Sequence, residues 1–343
     1  MRMRMRQNGQ PAVSRAGFTL VELLAVVAIL AIVASFAITQ YSTTQKTSAE
    51  KVSIANQEAV NRAVQSYLML NGGTGLNYLD SLIDWGTALG TPGSFNTNLN
   101  SATVVGGVYR GPKQASFGDT SAPGATAAEQ NHGIASELAS KVCVYYLTAT
   151  DVANLKKIGL TRATYFNYTT LHASSRGGLT VTPEMEILNA GPAFRMEHAA
   201  SFGVGLTNGS PVLAIRPSTS TLSLYQAFGS RLYATNGVAG ANGVVPPPST
   251  DAEAMAAAKG KVLLLFGLGS AATIVGARNG GLESAPRCEA LDYSYYRQYL
   301  LVLRCMSGAT ANNAGAEFAG VLDPKGQTVN DARQANEWRN GDR

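Results

Sequence analysis

The chain has 343 residues, of which 45% are hydrophobic and only 14% are charged, so it is long enough for one large domain or two small ones. The net charge of +5 is concentrated at the N-terminus, because Arg2, Arg4, Arg6 and Arg15 all precede the first acidic residue, Glu22. The nearly neutral remainder gives no support to nucleic-acid binding through bulk charge.

Metal, cofactor and catalytic motifs are not predicted. The candidate metal ligands are three cysteines without CxxC spacing and three scattered histidines, namely Cys143, Cys288, Cys305, His132, His172 and His198. A zinc site needs closer ligand spacing, and the histidines lie in no recognisable nucleophile motif. The sequence therefore predicts no cofactor and no active site. The protein is expected not to be an enzyme.

Residues 18–38 form an apolar run whose one charged member is Glu22. About 20 apolar residues cross a bilayer as a helix, so a membrane helix is predicted here. The arginines before it favour a cytoplasmic N-terminus, which would place everything after about residue 40 outside the cytoplasm. An ordinary signal peptide is the alternative, because residues 33–35 and 35–37 both match a small-residue cleavage site.

The segment Ser14-Arg15-Ala16-Gly17-Phe18-Thr19-Leu20-Val21-Glu22 resembles the cleavage and methylation motif of the type IV pilin and pseudopilin family. The resemblance implies that prepilin peptidase cuts after Gly17 on the cytoplasmic side and that Phe18 is then N-methylated. It also implies that the apolar helix stays on the mature chain, first in the bacterial inner membrane and later in a periplasmic or extracellular filament. The partners would be identical or related pilin subunits.

Glu22 is the residue of this segment that needs a physical reason. A charged side chain within an apolar span costs about 2.5–3.5 kcal/mol on insertion scales. The resemblance implies that its carboxylate pairs with the new amine of Phe18 on a neighbouring subunit, which offsets that cost only after assembly. Glu22 is therefore predicted to set the register of assembly.

A second helical pattern follows Lys46. Apolar residues recur there at steps of three and four and predict a buried face made of Val52, Ala55, Ala59, Ala63, Tyr67 and Leu70. Glu58 and Arg62 are spaced as an ion pair on another face, and the turn at 71–73 ends the helix. Residues 18–70 would then form one helix about 80 Å long at about 1.5 Å per residue. Many relatives have a proline at the position of Thr39, so the kink that proline introduces is in doubt here.

Residues 71–343 are predicted to form an extracytoplasmic head larger than is usual for the family. Without βαβ alternation, the expected fold class is α+β, a long helix against an antiparallel sheet enlarged by insertions. A short helix is predicted at Leu76–Asp84, with Asp80 and Asp84 on its solvated face, and the tail from about 323 is predicted to be mobile. Residues 142–146 fit a helix or a strand, and further strands are predicted at Pro211–Ile215, Lys261–Phe266, Ala272–Val275 and Tyr299–Cys305.

Two other patterns have ordinary interpretations. Residues 267–272 partly resemble a dinucleotide loop, but the following apolar segment reads as a strand, so a glycine-rich hairpin is favoured over nucleotide binding. Tyrosines cluster before the last predicted strand and are interpreted as a half-buried strand edge rather than a binding patch, at Tyr293, Tyr295, Tyr296 and Tyr299.

The exported location favours oxidation of cysteines. Many pilins close a C-terminal loop with a disulfide, and this resemblance implies a bridge between Cys288 and Cys305, with Cys143 reduced and buried in its apolar segment. The sequence alone leaves all three single-bridge pairings open.

Three functions fit the sequence. The first is a structural subunit of a type IV pilus-like filament, and the second is a pseudopilin of type II secretion with the same architecture. The third is a membrane-tethered binding or hydrolytic domain that uses the helix only as an anchor. Glu22 favours the first two, because a tether has no use for a buried carboxylate.

Overall fold

A computed structural model describes residues 20–84, 89–97, 134–166, 186–189, 201–230, 232, 247–276, 281–291, 296–307 and 315–340. The chain divides into two compact units, Met1–Ser48 and Ala49–Arg343. Helix α1 (Leu20–Leu70) runs without interruption through the boundary between them. No helix among the described residues is long and apolar enough to cross a membrane.

The second unit is built on one ten-stranded sheet. Its strands are β1 (Leu79–Asp84), β2 (Phe95–Asn96), β3 (Val142–Tyr146), β4 (Arg162–Phe166), β5 (Glu186–Asn189), β6 (Ser201–Gly205), β7 (Pro211–Ile215), β8 (Lys261–Gly267), β9 (Leu300–Met306) and β10 (Gly315–Leu322). They lie in the order β2-β3-β7-β8-β1-β4-β6-β5, and β9 pairs with both β8 and β10. The expected α+β class is confirmed. The sheet is mixed rather than wholly antiparallel, because β1 and β4 run parallel.

The core lies at the centre of this sheet. Every residue of β3 and β7 is buried, as are six of the seven residues of β8. Because successive side chains of a strand point to opposite faces of the sheet, a strand whose residues are all buried needs other elements packed on both faces. Short helices contribute to this cover, namely α2 (Ser136–Ala139), α3 (Ala149–Lys157), α4 (Leu222–Ala227) and α5 (Asp251–Ala257). Helix α3 contacts β9 and β10, and its N-terminus is fixed by a capping box between Thr148 and Asp151.

The second half of α1 is part of the core, but through a different face from the predicted one. Its buried residues follow one helical stripe, Ser53, Gln57, Val60, Val64 and Tyr67. Of the predicted apolar face only Tyr67 is buried, whereas Val52 and Leu70 are 50% and 68% exposed. The helix is rotated because two polar side chains of the stripe find hydrogen-bond partners in the head.

Those partners come from the C-terminal third of the chain. Gln57 Nε2 donates to the carbonyl oxygens of Val321 at 2.9 Å and Gln327 at 3.0 Å. The Tyr299 hydroxyl donates to the Ser53 carbonyl oxygen at 2.8 Å. Since neither Ser53 nor Gln57 reads as a core residue, an apolar periodicity could not locate this face.

Two other local predictions need correction. Leu76–Asp84 contains strand β1 rather than a helix, and residues 272–274 form turns and a bend, with Val275 in an isolated bridge to Leu282, rather than a strand. The tail from about 323, whose mobility stays a prediction, contains helix α6 (Val329–Asn340). A Thr328–Asp331 capping interaction begins this helix, and an Arg333–Glu58 ion pair joins it to α1.

Candidate functional site

The two residues of the predicted cleavage and methylation site, Gly17 and Phe18, lie outside the described residues. Glu22 lies on the first turn of α1, and its side chain is also outside the description. The structure therefore describes the surface that follows the motif rather than the motif itself.

That surface is the first half of α1, which we call the apolar segment, residues 20–38. Its large side chains are exposed on all sides of the helix: Leu23 and Leu24 are 61% and 68% exposed, and Val26 and Val27 are 46% and 58% exposed. Because consecutive residues point in different directions around a helix, no single face is covered. Burying one such side chain contributes about 1.5–3 kcal/mol. A continuous apolar surface of this kind indicates an interaction with lipid or with other apolar helices.

The three thiols are free and buried, each in a different place. Cys288 Sγ lies 3.1 Å from Ser53 Oγ, and Cys305 Sγ donates to Asp151 Oδ1 at 3.3 Å. The backbone N–H of Cys288 donates to the carbonyl oxygen of Arg297, whereas Cys305 lies within β9, opposite Val262 of β8. The structure has both residues as free thiols with different partners, so it does not show the predicted Cys288–Cys305 bridge, which stays a prediction.

We expect all three thiols to be counted by a thiol reagent only after unfolding. Burial raises the pKa of Cys143 to about 12 and also raises the pKa values of Cys288 and Cys305, which suppresses the reactive thiolate. Titration with Ellman's reagent should find almost no reaction in native protein and three thiols per chain in urea without reductant. One thiol per chain in urea, rising to three after reduction, would restore the bridge.

Asp80 is the most unusual acidic residue described. It lies on β1 rather than on a solvated helix, and its side chain is buried, with Oδ2 accepting a 2.7 Å hydrogen bond from the Tyr296 hydroxyl. Burial raises the pKa of Asp80 to about 7, and the bond from Tyr296 opposes this shift. The sequence analysis named Asp80 only as a solvated helix residue and the tyrosine cluster only as a half-buried strand edge. Of that cluster, Tyr296 and Tyr299 are buried, and Tyr293 and Tyr295 lie outside the described residues.

The glycines of the pattern at 267–272 serve this packing. A Cβ on Gly269 would lie 2.1 Å from Asp80 Oδ2, and one on Gly267 would lie 2.0 Å from the Tyr296 hydroxyl oxygen. The segment that follows forms turns, not the helix that a dinucleotide loop requires. The predicted glycine-rich hairpin is therefore wrong, because turns follow β8 instead of a paired strand.

A small open pocket lies between α1, α6 and the loop after β10. Asp323 lines it, accepting hydrogen bonds from the backbone N–H groups of Lys325 at 3.0 Å and Gln327 at 2.7 Å. Burial raises the pKa of Asp323 to about 6. Within the described part of the chain, no group of three or more histidine, cysteine or acidic side chains is arranged to hold a metal ion.

The family model of the prokaryotic N-terminal methylation motif matches residues 13–38, which include the predicted cleavage site and the apolar segment. Searches of curated proteins and of solved structures found no match. The match covers the N-terminus and leaves the head without a described relative. The chain therefore carries the prokaryotic N-terminal methylation motif, as expected of a type IV pilin-like or pseudopilin precursor.

Proposed function

We propose that the chain is the precursor of a structural subunit of a type IV pilus-like filament. The observation that carries the proposal is the methylation motif at residues 13–38, which includes the exposed apolar segment of α1. The motif supplies the processing signal, and the apolar segment supplies a surface that other copies of the same helix would cover.

The proposed sequence of events begins at the inner membrane. Residues 1–17 are the cytoplasmic leader, and prepilin peptidase cuts after Gly17 to leave Phe18 as the N-methylated first residue. The helix from 18 to 38 anchors the subunit before assembly, and the head at 71–343 lies outside the cytoplasm. On assembly, the apolar segments of several subunits pack together, so their large side chains contact one another instead of lipid or water.

Glu22 is proposed as the residue that orders this packing. Its carboxylate would pair with the methylated amine of Phe18 on a neighbouring subunit, because an unpaired charge among apolar helices is costly. A membrane-tethered binding or hydrolytic domain would have no need of this charge. A pseudopilin would share both the motif and the charge, so the two filament systems are separated by where the filaments occur, on the cell surface or within the periplasm.

Mass spectrometry of the intact protein, recovered from the cell envelope or from sheared filaments, tests the proposal. The mature chain should begin at Phe18 and should carry one methyl group on its amine. The Gly17→Glu variant, which alters the residue before the cut, should accumulate at the mass of the uncleaved precursor. A mature chain that starts at Phe36 or Ile38 would instead indicate ordinary signal peptidase and would refute the pilin-like function.

A further inference from the structure

Strand β1 joins two parts of the sheet. On one side lie β4, β6 and β5, which we call the outer block, and on the other lie β2, β3 and β7–β10, the inner block. Among the described strands, the outer block pairs with the rest of the sheet only through β1 and β4. Strand β1 pairs with the inner block at one position, Asp80 opposite Gly267. Strand pairing between β1 and the inner block is therefore limited to the position of Asp80.

The backbone at this point is irregular. Tyr78 and Leu82 flank Asp80 with φ of 54° and 58°, in the left-handed region that residues other than glycine seldom occupy. The register between β1 and β4 also shifts between Asp80 and Asp84. Strained backbone of this kind persists only where the surrounding packing holds it in place.

The packing around the Asp80 carboxyl is tight and uncharged. Tyr296, from the segment before β9, is the titratable group that bears on it, and the turn after β8 contributes the backbone of Gly269. The residue opposite on β4 is Thr164, whose hydroxyl donates to the Tyr78 carbonyl oxygen at 3.0 Å. No lysine or arginine among the described residues contributes to the pKa of Asp80, so an ionised carboxylate there has one hydroxyl bond and no counter-charge.

Hydrogen bonds between Thr273, after β8, and Asn77, before β1, also cross this boundary. One described bond joins a strand of the outer block directly to a strand of the inner block. The Tyr165 hydroxyl on β4 donates to the Pro211 carbonyl oxygen at 2.8 Å. Burial raises the pKa of Tyr165 further above its ordinary value, so this group stays neutral at physiological pH and its bond does not respond to protons there. Asp80 is the group at the boundary whose charge changes in that range.

We propose that Asp80, Tyr296, Gly267 and Gly269 form a proton-controlled joint that holds the outer block to the inner block when the Asp80 carboxyl is protonated and loosens when it ionises. The raised pKa of about 7 supports a response under physiological conditions. Opening of the joint admits water to the carboxyl and returns its pKa to the ordinary value near 4. Opening is therefore rarest at acid pH, rises between about pH 4 and pH 7, and levels off above about pH 7.

Hydrogen exchange of the full-length protein in detergent measures this opening strand by strand. After correction for the intrinsic pH dependence of amide exchange, rates in β4 and β6 should rise about tenfold per pH unit from pH 5 and level off near pH 7. Rates in β9, at the centre of the inner block, should change little over the same range. An equal change in β4, β6 and β9 would show global destabilisation and would refute a joint.

Three variants separate the joint from other titrating groups. Asp80→Asn keeps the shape and an acceptor for Tyr296 but cannot ionise, so exchange in β4 and β6 should lose its corrected pH dependence. Tyr296→Phe removes the one donor to the carboxylate, so the rates should level off at a higher pH. Asp323→Asn, which removes the other raised carboxyl, should leave the wild-type pattern in β4 and β6.

Persistence of the wild-type pH dependence in Asp80→Asn would refute the proposal. If Asp80→Asn does not fold, Tyr296→Phe provides the test. Exchange rates that level off at the wild-type pH in that variant would also refute the proposal. The joint and the filament function can fail independently, since neither measurement requires assembly.

Discussion

Glu22→Ala is expected to enter the membrane at least as well as the wild type and to lose most of its filaments. Removing a charge that costs about 2.5–3.5 kcal/mol in an apolar span favours insertion. The same change removes the proposed partner of the Phe18 amine, which then lies uncompensated among packed apolar helices. Membrane fractionation measures the first effect, and electron microscopy of sheared filaments measures the second.

Two further variants show whether charge is the cause. Glu22→Gln keeps the size and hydrogen-bonding capacity of the side chain, so it should also lose filaments if the pairing is ionic. Lys51→Ala removes an exposed charge from the same helix and should assemble normally. Filaments of ordinary number and length in Glu22→Ala would show that the pairing role is wrong.

Gln57→Ala is expected to lower the free energy of unfolding of the head by about 3 kcal/mol. The side chain is 1% exposed, and its Nε2 donates to the carbonyl oxygens of Val321 and Gln327. Leaving a buried polar group without its partner costs about 1–3 kcal/mol, and the truncation also leaves a cavity. Urea unfolding of the full-length protein in detergent, followed by circular dichroism, measures the change.

The matched control is Gln65→Ala, which truncates an exposed glutamine on the same helix. Alanine has the higher helix propensity, so this variant should remain within about 0.5 kcal/mol of the wild type. If the two variants have equal stability, Gln57 is not what fixes the rotation of α1.

The elements that the sequence located best are those whose pattern is local. Pro211–Ile215 is a strand with the predicted bounds, and the strands predicted at 261–266 and 299–305 are shifted by one residue at most. A turn with Gly209 at φ 84° precedes β7. Apolar β-branched runs bounded by turn residues decide such segments without help from distant residues.

The elements that were missed depend on partners far along the chain. Strand β1 includes Asp80 and Ser81, which the sequence pattern assigns to the polar face of a helix. Both are buried because each has a hydrogen-bond partner: the Tyr296 hydroxyl donates to Asp80, and the Ser81 hydroxyl donates to the Thr164 carbonyl oxygen. Sequence patterns assign polar residues to the surface, so they do not predict polar residues that are buried through hydrogen bonds. The same reason explains the rotated face of α1.

The processing motif was readable because a peptidase recognises a short contiguous segment, and the family model matches the same residues. The disulfide was not readable, because a bridge depends on distance in three dimensions. Two cysteines on neighbouring segments suggested proximity, and the structure has both as free thiols with different hydrogen-bond partners.

The docking of α1 has a consequence for the order in which the protein matures. Ser53 and Gln57 find their partners at Cys288, Tyr299, Val321 and Gln327, at sequence separations of 235 to 270 residues. Contacts of such long range form late and slowly. In the proposed export of the head, the second half of the helix leaves the cytoplasm first, and the residues that hold it leave nearly last. Ser53 and Gln57 would therefore stay hydrated for almost the whole translocation. A chain interrupted before residue 288 would leave both exposed, because the residues that bind them would be missing.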